Sequence, residues 1–289
     1  MRYAFIAEHT TRFEVKIMCK VLQVSPSGYY AWMHRPESRQ AAANQVMRQR
    51  IEHIHASSRG TYGVRRVHAA LRQEHVLCGK QRVARLMSAA GLAGKGRGRH
   101  RPRTTVSDPT RPAASNLLNR DFSAERPNAK WLADITYIDT REGFLYLAAV
   151  LDVFSRRVVG WAMADHLREP LVEEALRLAL AQRQPVVDLL HHSDQGSQYT
   201  SDDYLALLAQ YRITVSMSRS ADCYDNAMME SFWGTLKAEC ADAPFATRAA
   251  ARIAIFDYLE VWYNRQRLHS AIDYTSPAIF ERLHALPFP

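Results

Sequence analysis

Cysteine is scarce and scattered. Cys19, Cys78, Cys223 and Cys240 are the only four in 289 residues, with no Cys-x-x-Cys pair and no spaced histidines after any of them. Neither a zinc knuckle nor a disulfide framework can be built from them, and a reducing compartment suits such a chain. Long apolar runs are missing too. The longest, Phe144 to Leu151, stops at Asp152, and the opening stretch Tyr3 to Ala7 is cut by Glu8 and His9. This rules out a membrane-spanning helix and the core of an export signal, so a cytoplasmic location is expected. The third shortage is of negative charge in the first half. Residues 1–130 hold 8 Asp/Glu against 24 Lys/Arg, whereas the remainder holds 21 against 14.

That asymmetry, within a net charge of +9 and a pI near 9.5, gives the chain a basic half and an acidic half. The basic half reads as an electrostatic footprint for a polyanion such as nucleic acid. Acids in the other half need cations before they can approach a phosphate. With 47% hydrophobic residues the chain can bury a sizeable core, and its length suggests roughly two domains.

The hydrophobic pattern divides the chain further. In residues 1–40, Val15, Met18, Cys19 and Leu22 form a helical stripe, followed by a VSPSG turn and the aromatics Tyr29, Tyr30 and Trp32. Residues 41–93 predict helices at 41–56, 63–71 and 80–90, with nine Lys/Arg and two acids between Ala41 and Gly94. Two short helices with a break suit a helix-turn-helix segment whose second helix enters the major groove. Arg65, Arg66, Arg82 and Arg85 are its candidate DNA contacts. Residues 94–123, opening with GKGRGRHRPR, have too little apolar content to bury a core and read as a basic linker; Lys95, Arg97, Arg99, Arg101 and Arg103 are positioned to meet a DNA backbone.

From Trp131 the texture changes to short apolar runs. Strands are expected at 131–138, 144–152, 157–163, 186–193 and 214–217, with helices at 170–181, 201–211 and 226–239. Three successive strands followed by alternating helix and strand imply an α/β unit, a mixed five-stranded sheet with helices on both faces, over residues 124–240. Residues 241–289 read as a helical extension.

Three acids in this unit stand out. Asp134 lies mid-strand between Ala133 and Ile135, where a carboxylate must find a cation or a donor. Asp194 comes at the end of the fourth strand, where Gly196 opens a loop, and ligands gather outside strand ends in open sheets. Glu230 ends DNAMME on a helix for which Asp225 and Asn226 are candidate caps. The separations are 59 and 35 intervening residues. Carboxylates are what Mg²⁺ prefers, and two such ions about 4 Å apart stabilise the entering and leaving oxygens of a phosphodiester displacement.

The segments WLADITYI, LDVFSRRVVGW, HHSDQGSQYTS, DNAMMESFWGTLKAE and YNRQRLHSAIDYTSPA strongly resemble the integrase-like transposases of bacterial insertion sequences, in particular the second-frame product of the insertion-sequence family numbered three. Upstream, MCKVLQVSPSGYYAWMHR and SRGTYGVRRVHAALRQEHVLCGKQRVARLM resemble the helical DNA-binding segments of that family. The resemblance implies a ribonuclease H-like fold and an Asp, Asp, Glu triad at Asp134, Asp194 and Glu230 that binds two Mg²⁺ or Mn²⁺ ions and cuts and joins DNA strands. It also implies a basic residue seven positions after the glutamate, here Lys237, in contact with DNA. Double-stranded DNA is the implied partner, with a homo-oligomer assembled on it and a nucleoid-associated location. An upstream-frame protein that this chain, beginning at Met1, is expected to lack is a further partner. A DNA-binding regulator with a silent catalytic domain, and a ribonuclease H-type nuclease, are the rival functions.

Other residues have plainer readings. Asp152 closes a strand before a turn, His191 and His192 suit packing or hydrogen bonds better than metal, and Phe232 and Trp233 suit the core. Tyr263, Asn264, Arg265, Arg267 and His269 fit either DNA or a packed helix end.

Overall fold

The computed structural model describes residues 1–36, 38–96, 114–185, 188–219 and 223–284. Strand β1 (Lys130–Ile138) alternates side chains between two covered faces: Trp131 and Ala133 point one way, Leu132, Asp134, Thr136 and Ile138 the other. It pairs antiparallel with β2 (Leu145–Asp152), which pairs antiparallel with β3 (Val158–Ala164). On its other side β1 runs parallel to β4 (Leu190–Ser193), and β4 parallel to β5 (Thr214–Met217). The order is β3-β2-β1-β4-β5, the mixed five-stranded, ribonuclease H-like arrangement expected. Because both faces are covered, β2 reads as an almost unbroken apolar run.

One face is covered by the helix of Glu169–Arg183, whose Leu171, Val172, Ala175, Leu176 and Ala179 pack on Trp131, Ala148 and Val159, and by the helix of Asp202–Gln210. Gly160 on β3 lets that first helix come close, since a Cβ there would lie 2.2 Å from the carbonyl oxygen of Ala175. The other face takes the helix of Ala227–Glu239, the helix of Arg248–Phe256 and a π-helical stretch at Asp257–Tyr263.

Among the described residues upstream lie six helices. Numbered in chain order, α1 (Arg2–Glu8), α2 (Val15–Val21) and α3 (Pro26–Met33) close a small core of their own around Ile6, Met18, Cys19 and Tyr29. Helices α4 (Arg39–Ser57), α5 (Val64–Gln73) and α6 (Lys80–Ala89) follow. Their Ile51, Val67, Leu71, Val83 and Met87 join the same apolar cluster as the second face of the sheet. The helices already placed on the sheet are then α7 (Glu169–Arg183), α8 (Asp202–Gln210), α9 (Ala227–Glu239) and α10 (Arg248–Phe256), and α11 spans Pro277–Leu283. No helix among the described residues is long and apolar enough to cross a membrane.

One expectation needs correction. The fourth strand is shorter than 186–193: Asp188 has φ 60°, a left-handed backbone that no strand accommodates, and pairing begins at Leu190. The last part of the linker segment, residues 114–123, is packed rather than extended away from the protein. Leu118 is buried, the N–H groups of Leu117 and Leu118 donate to Ser216 Oγ, and Met217 N–H donates to Ser115 O, so this stretch packs beside β5. The helical extension after residue 241 packs onto the sheet, where Ala251, Ile255, Tyr258, Leu259 and Trp262 belong to the core of the second face.

Candidate active site

The spacing of the first two acids equals the sheet register. In the parallel pair of β1 and β4, Lys130 faces Leu190, Trp131 faces His191 and Leu132 faces His192. The offset of sixty carried two residues onward sets Asp134 beside Asp194, one residue past the end of β4. Both carboxylates line one cleft with Thr136, Tyr137, Gly196 and Gln198. Asp194 is held in its loop by the N–H of Gly196, which donates to its Oδ1 at 2.9 Å.

Helix α9 closes the site from the sheet's second face. Trp233 Nε1 donates to Asp134 Oδ2 at 2.9 Å, and the N–H of Ile135 donates to Oδ1 at 2.8 Å. Glu230 stands one turn before Trp233 on the same helix and is exposed. Burial, then the neighbouring Asp194 carboxylate, push the Asp134 carboxyl up to about 8; the two hydrogen bonds oppose this and Glu230 adds to it. The acid on β1 therefore feels both the acid just past the end of β4 and the one on the helix above.

Among the described residues, the set of three acids whose ligand oxygens all lie within 4.8 Å is a different one, Glu169, Glu173 and Asp203, with Glu173 already paired to Arg177 at 3.2 Å. The triad is more open than that. Carboxylates spread in this way could still hold a pair of hard divalent ions between them. The donor set is all oxygen, as hard cations prefer, and the raised Asp134 carboxyl reflects burial and neighbouring negative charge that a cation would offset.

Lys237 lies over Tyr137, one of the residues of that cleft, its ammonium 4.2 Å from the centre of the ring. Burial lowers its pKa, against the pull of Asp139 and Asp134. Of the other candidate DNA contacts, Arg65 and Arg85 are exposed on α5 and α6. Arg66 is turned inward, where it approaches Glu239 at 3.4 Å and lies over Tyr62. Arg82 donates through Nε to Asn44 at 3.0 Å, and Lys95 pairs with Asp242 at 2.7 Å. Each of these three thus has a partner within the protein. Arg97, Arg99, Arg101 and Arg103 lie outside the described residues.

The plainer readings resolve individually. Asp152 is fully buried and accepts from the N–H groups of Asn128, Phe154 and Ser155, a turn anchor rather than a ligand. His192 bonds Ser216 and Ser218, and His191 bonds Tyr204; burial holds both imidazoles neutral. Asp225 is not a helix cap. Its carboxylate is engaged by Arg219, Arg120 and Asn116, which tie the loop before α9 to the segment before β1, and Asn226 makes no side-chain cap bond. Tyr263, Asn264 and Arg267 are buried, Asn264 bridging the N–H and C=O of Val158, while Arg265 is exposed. Trp233 is core, as its neighbours predicted, but its indole N–H is also part of the site. Its position three residues after Glu230 was the one available signal.

The Integrase core domain family matches residues 124–223 and, in a second form, 211–277; an HTH-like domain family matches residues 41–100. An insertion element IS600 31 kDa protein of Shigella sonnei is 42% identical over 93% of this chain and 99% of its own. The transposase for insertion sequence element IS904 of Lactococcus lactis is 42% identical over 88% and 100%, and transposase InsF for insertion sequence IS3A of Escherichia coli is 38% identical over 97% and 98%. Among solved structures, a simian T-cell lymphotropic virus intasome chain aligns with a TM-score of 0.46 at 16% identity, covering 82% of this chain and 75% of that one. With an HTH-like segment, an integrase core and end-to-end relatives among insertion-sequence transposases, the chain belongs to the IS3-family transposases, DNA-binding polynucleotidyl transferases of the Asp, Asp, Glu type.

Proposed function

We propose that Asp134, Asp194 and Glu230 form the catalytic triad and would together hold two Mg²⁺ or Mn²⁺ ions. The observation that carries this reading is the register of β1 against β4, which sets Asp134 beside Asp194 beneath the helix of Glu230. When bound, the cations would stabilise charge on the scissile phosphate and on the attacking and leaving oxygens. The protein's own part is positional. The Gly196 N–H fixes one acid, the Trp233 and Ile135 N–H groups fix another, and the cleft between β1 and the Gly196 loop receives the strand.

In this scheme water first attacks a phosphodiester at the element's end and frees a 3′-hydroxyl; that hydroxyl then attacks a second phosphodiester, and each step expels one 3′-oxygen without a covalent enzyme intermediate. Lys237 meets the DNA backbone beside Tyr137, and Arg65 and Arg85 meet it on the helical segment. Work of this kind on two ends suits a homo-oligomer assembled on duplex DNA in the nucleoid, with an upstream-frame protein as a further partner. The division of labour follows residues 1–40, 41–93, 94–123, 124–240 and 241–289.

Asp194→Asn tests the scheme on a labelled duplex carrying an element end. Cleavage and strand joining with Mn²⁺ should be lost while duplex binding persists, and cleavage at the wild-type rate by this variant removes Asp194 from the site. Joined product in the wild-type reaction separates the transposase from a nuclease that stops at hydrolysis.

A further inference from the structure

On the far side of α9 from Glu230 lies a second cleft of about 340 Å³, lined by Ala227, Met228, Ser231 and Thr235 of α9 and by Arg66, Arg156 and Arg267. Helical spacing puts Ala227, Met228, Ser231 and Thr235 on one face and Glu230, Trp233 and Lys237 on the other. Three guanidinium groups here share little negative charge. Glu239 takes both Arg267 Nε and Nη2 at 2.7 Å, with Arg66 at 3.4 Å and the Tyr258 hydroxyl at 3.0 Å, which uses its acceptor positions. Asp152, the other carboxylate near Arg156, has both oxygens occupied by backbone N–H groups. His269, beside Arg267, is kept neutral by burial and by the surrounding arginines.

Arg156 is the member left over. It is half-buried, its guanidinium meets only the sulfur of Met228 and, at 3.5 Å, the carbonyl of Phe122, its Nε has no partner, and no carboxylate pairs with it among the described residues. Burial works against its charge. A planar donor fork set in an open, positively charged recess fits a tetrahedral oxyanion.

We infer that this cleft is a phosphate-binding site for the DNA backbone, with Arg156 as its principal donor and Ser231 beside it. The inference rests on the transposase reading above. Because Ser231 follows Glu230 directly, a phosphate held here sets the register of the strand relative to the triad across one helix, about 10 Å thick.

The test is binding without chemistry. Full-length wild type, Arg156→Gln and Met228→Glu are titrated onto a short labelled duplex of arbitrary sequence, in chelator, across a series of salt concentrations. Loss of one phosphate contact should reduce the slope of log affinity against log salt by about 0.9 and weaken binding roughly tenfold. Met228→Glu, which gives Arg156 a carboxylate partner, should do the same without lowering the melting temperature. A variant that melts like wild type and keeps the wild-type slope overturns the proposal. Stabilisation of wild type by inorganic phosphate with no change of duplex slope in the variants also overturns it, since the site then takes a free anion. Asp194→Asn should keep the full slope, so a failed cleavage reading and a failed pocket give different results.

Discussion

Trp233→Phe removes one hydrogen and little else. The ring stays packed on Phe232, whose centroid lies 4.6 Å away, but Asp134 Oδ2 loses a donor at 2.9 Å. A hydrogen bond to an ionised group contributes about 1.5–3 kcal/mol, so its loss makes the Asp134 proton roughly ten- to a hundredfold harder to remove. That carboxyl already titrates near 8, and a divalent ion must displace its proton to bind. Apparent Mn²⁺ affinity near neutral pH should therefore fall by about the same ten- to hundredfold, the usual range for loss of an outer-sphere partner. The deficit should close as the pH rises past the new titration point, because wild type and variant then both present an ionised Asp134. Calorimetric titration of Mn²⁺ from neutral pH to about pH 10 reads this directly, with melting curves in chelator to establish that the fold is intact. An unchanged affinity, or a deficit independent of pH, refutes the idea that the indole N–H tunes this carboxylate.

The raised carboxyl also makes a stability statement about the metal-free protein. Its folded value lies above the unfolded one, so the stability it contributes is fully present below about pH 4 and is lost as the pH rises through about 8. Asp134→Asn should therefore melt higher than wild type in chelator above pH 8, should lose that advantage toward pH 4, and should fail to gain from Mg²⁺; a wild type that melts as high as the variant above pH 8 contradicts this. Glu239→Gln leaves Arg267, 2% exposed, without its bidentate partner, which should cost about 3–5 kcal/mol in urea unfolding; a loss below about 1 kcal/mol would show that Arg267 finds another acceptor.

Much of the catalytic unit was legible along the chain because its signals are local. Alternation in 131–138, the apolar run ending at Asp152 and the helical stripes of α5, α6 and α7 are one-dimensional patterns that burial on two faces imposes on any such sheet. The spacing of Asp134 and Asp194 is of the same kind, since the pairing of two neighbouring parallel strands fixes an offset that the sequence has to carry. The π-helical turn at Asp257–Tyr263 left no comparable mark: its i to i+5 bonds fall inside a pattern that reads as ordinary helix.

The basic residues divide differently. Charge and helical phase place Arg65, Arg66, Arg82 and Arg85 on helices, and nothing in the order of residues distinguishes a guanidinium facing solvent from one facing Glu239, which lies 173 positions away from Arg66. The sequence alone therefore determined the sheet, the acids and the family, all of which depend on period and spacing. Only the tertiary structure decided which cations have partners within the protein, which indole donates to Asp134 and which arginine, Arg156, has no carboxylate partner among the described residues, because each depends on groups brought together from distant parts of the chain.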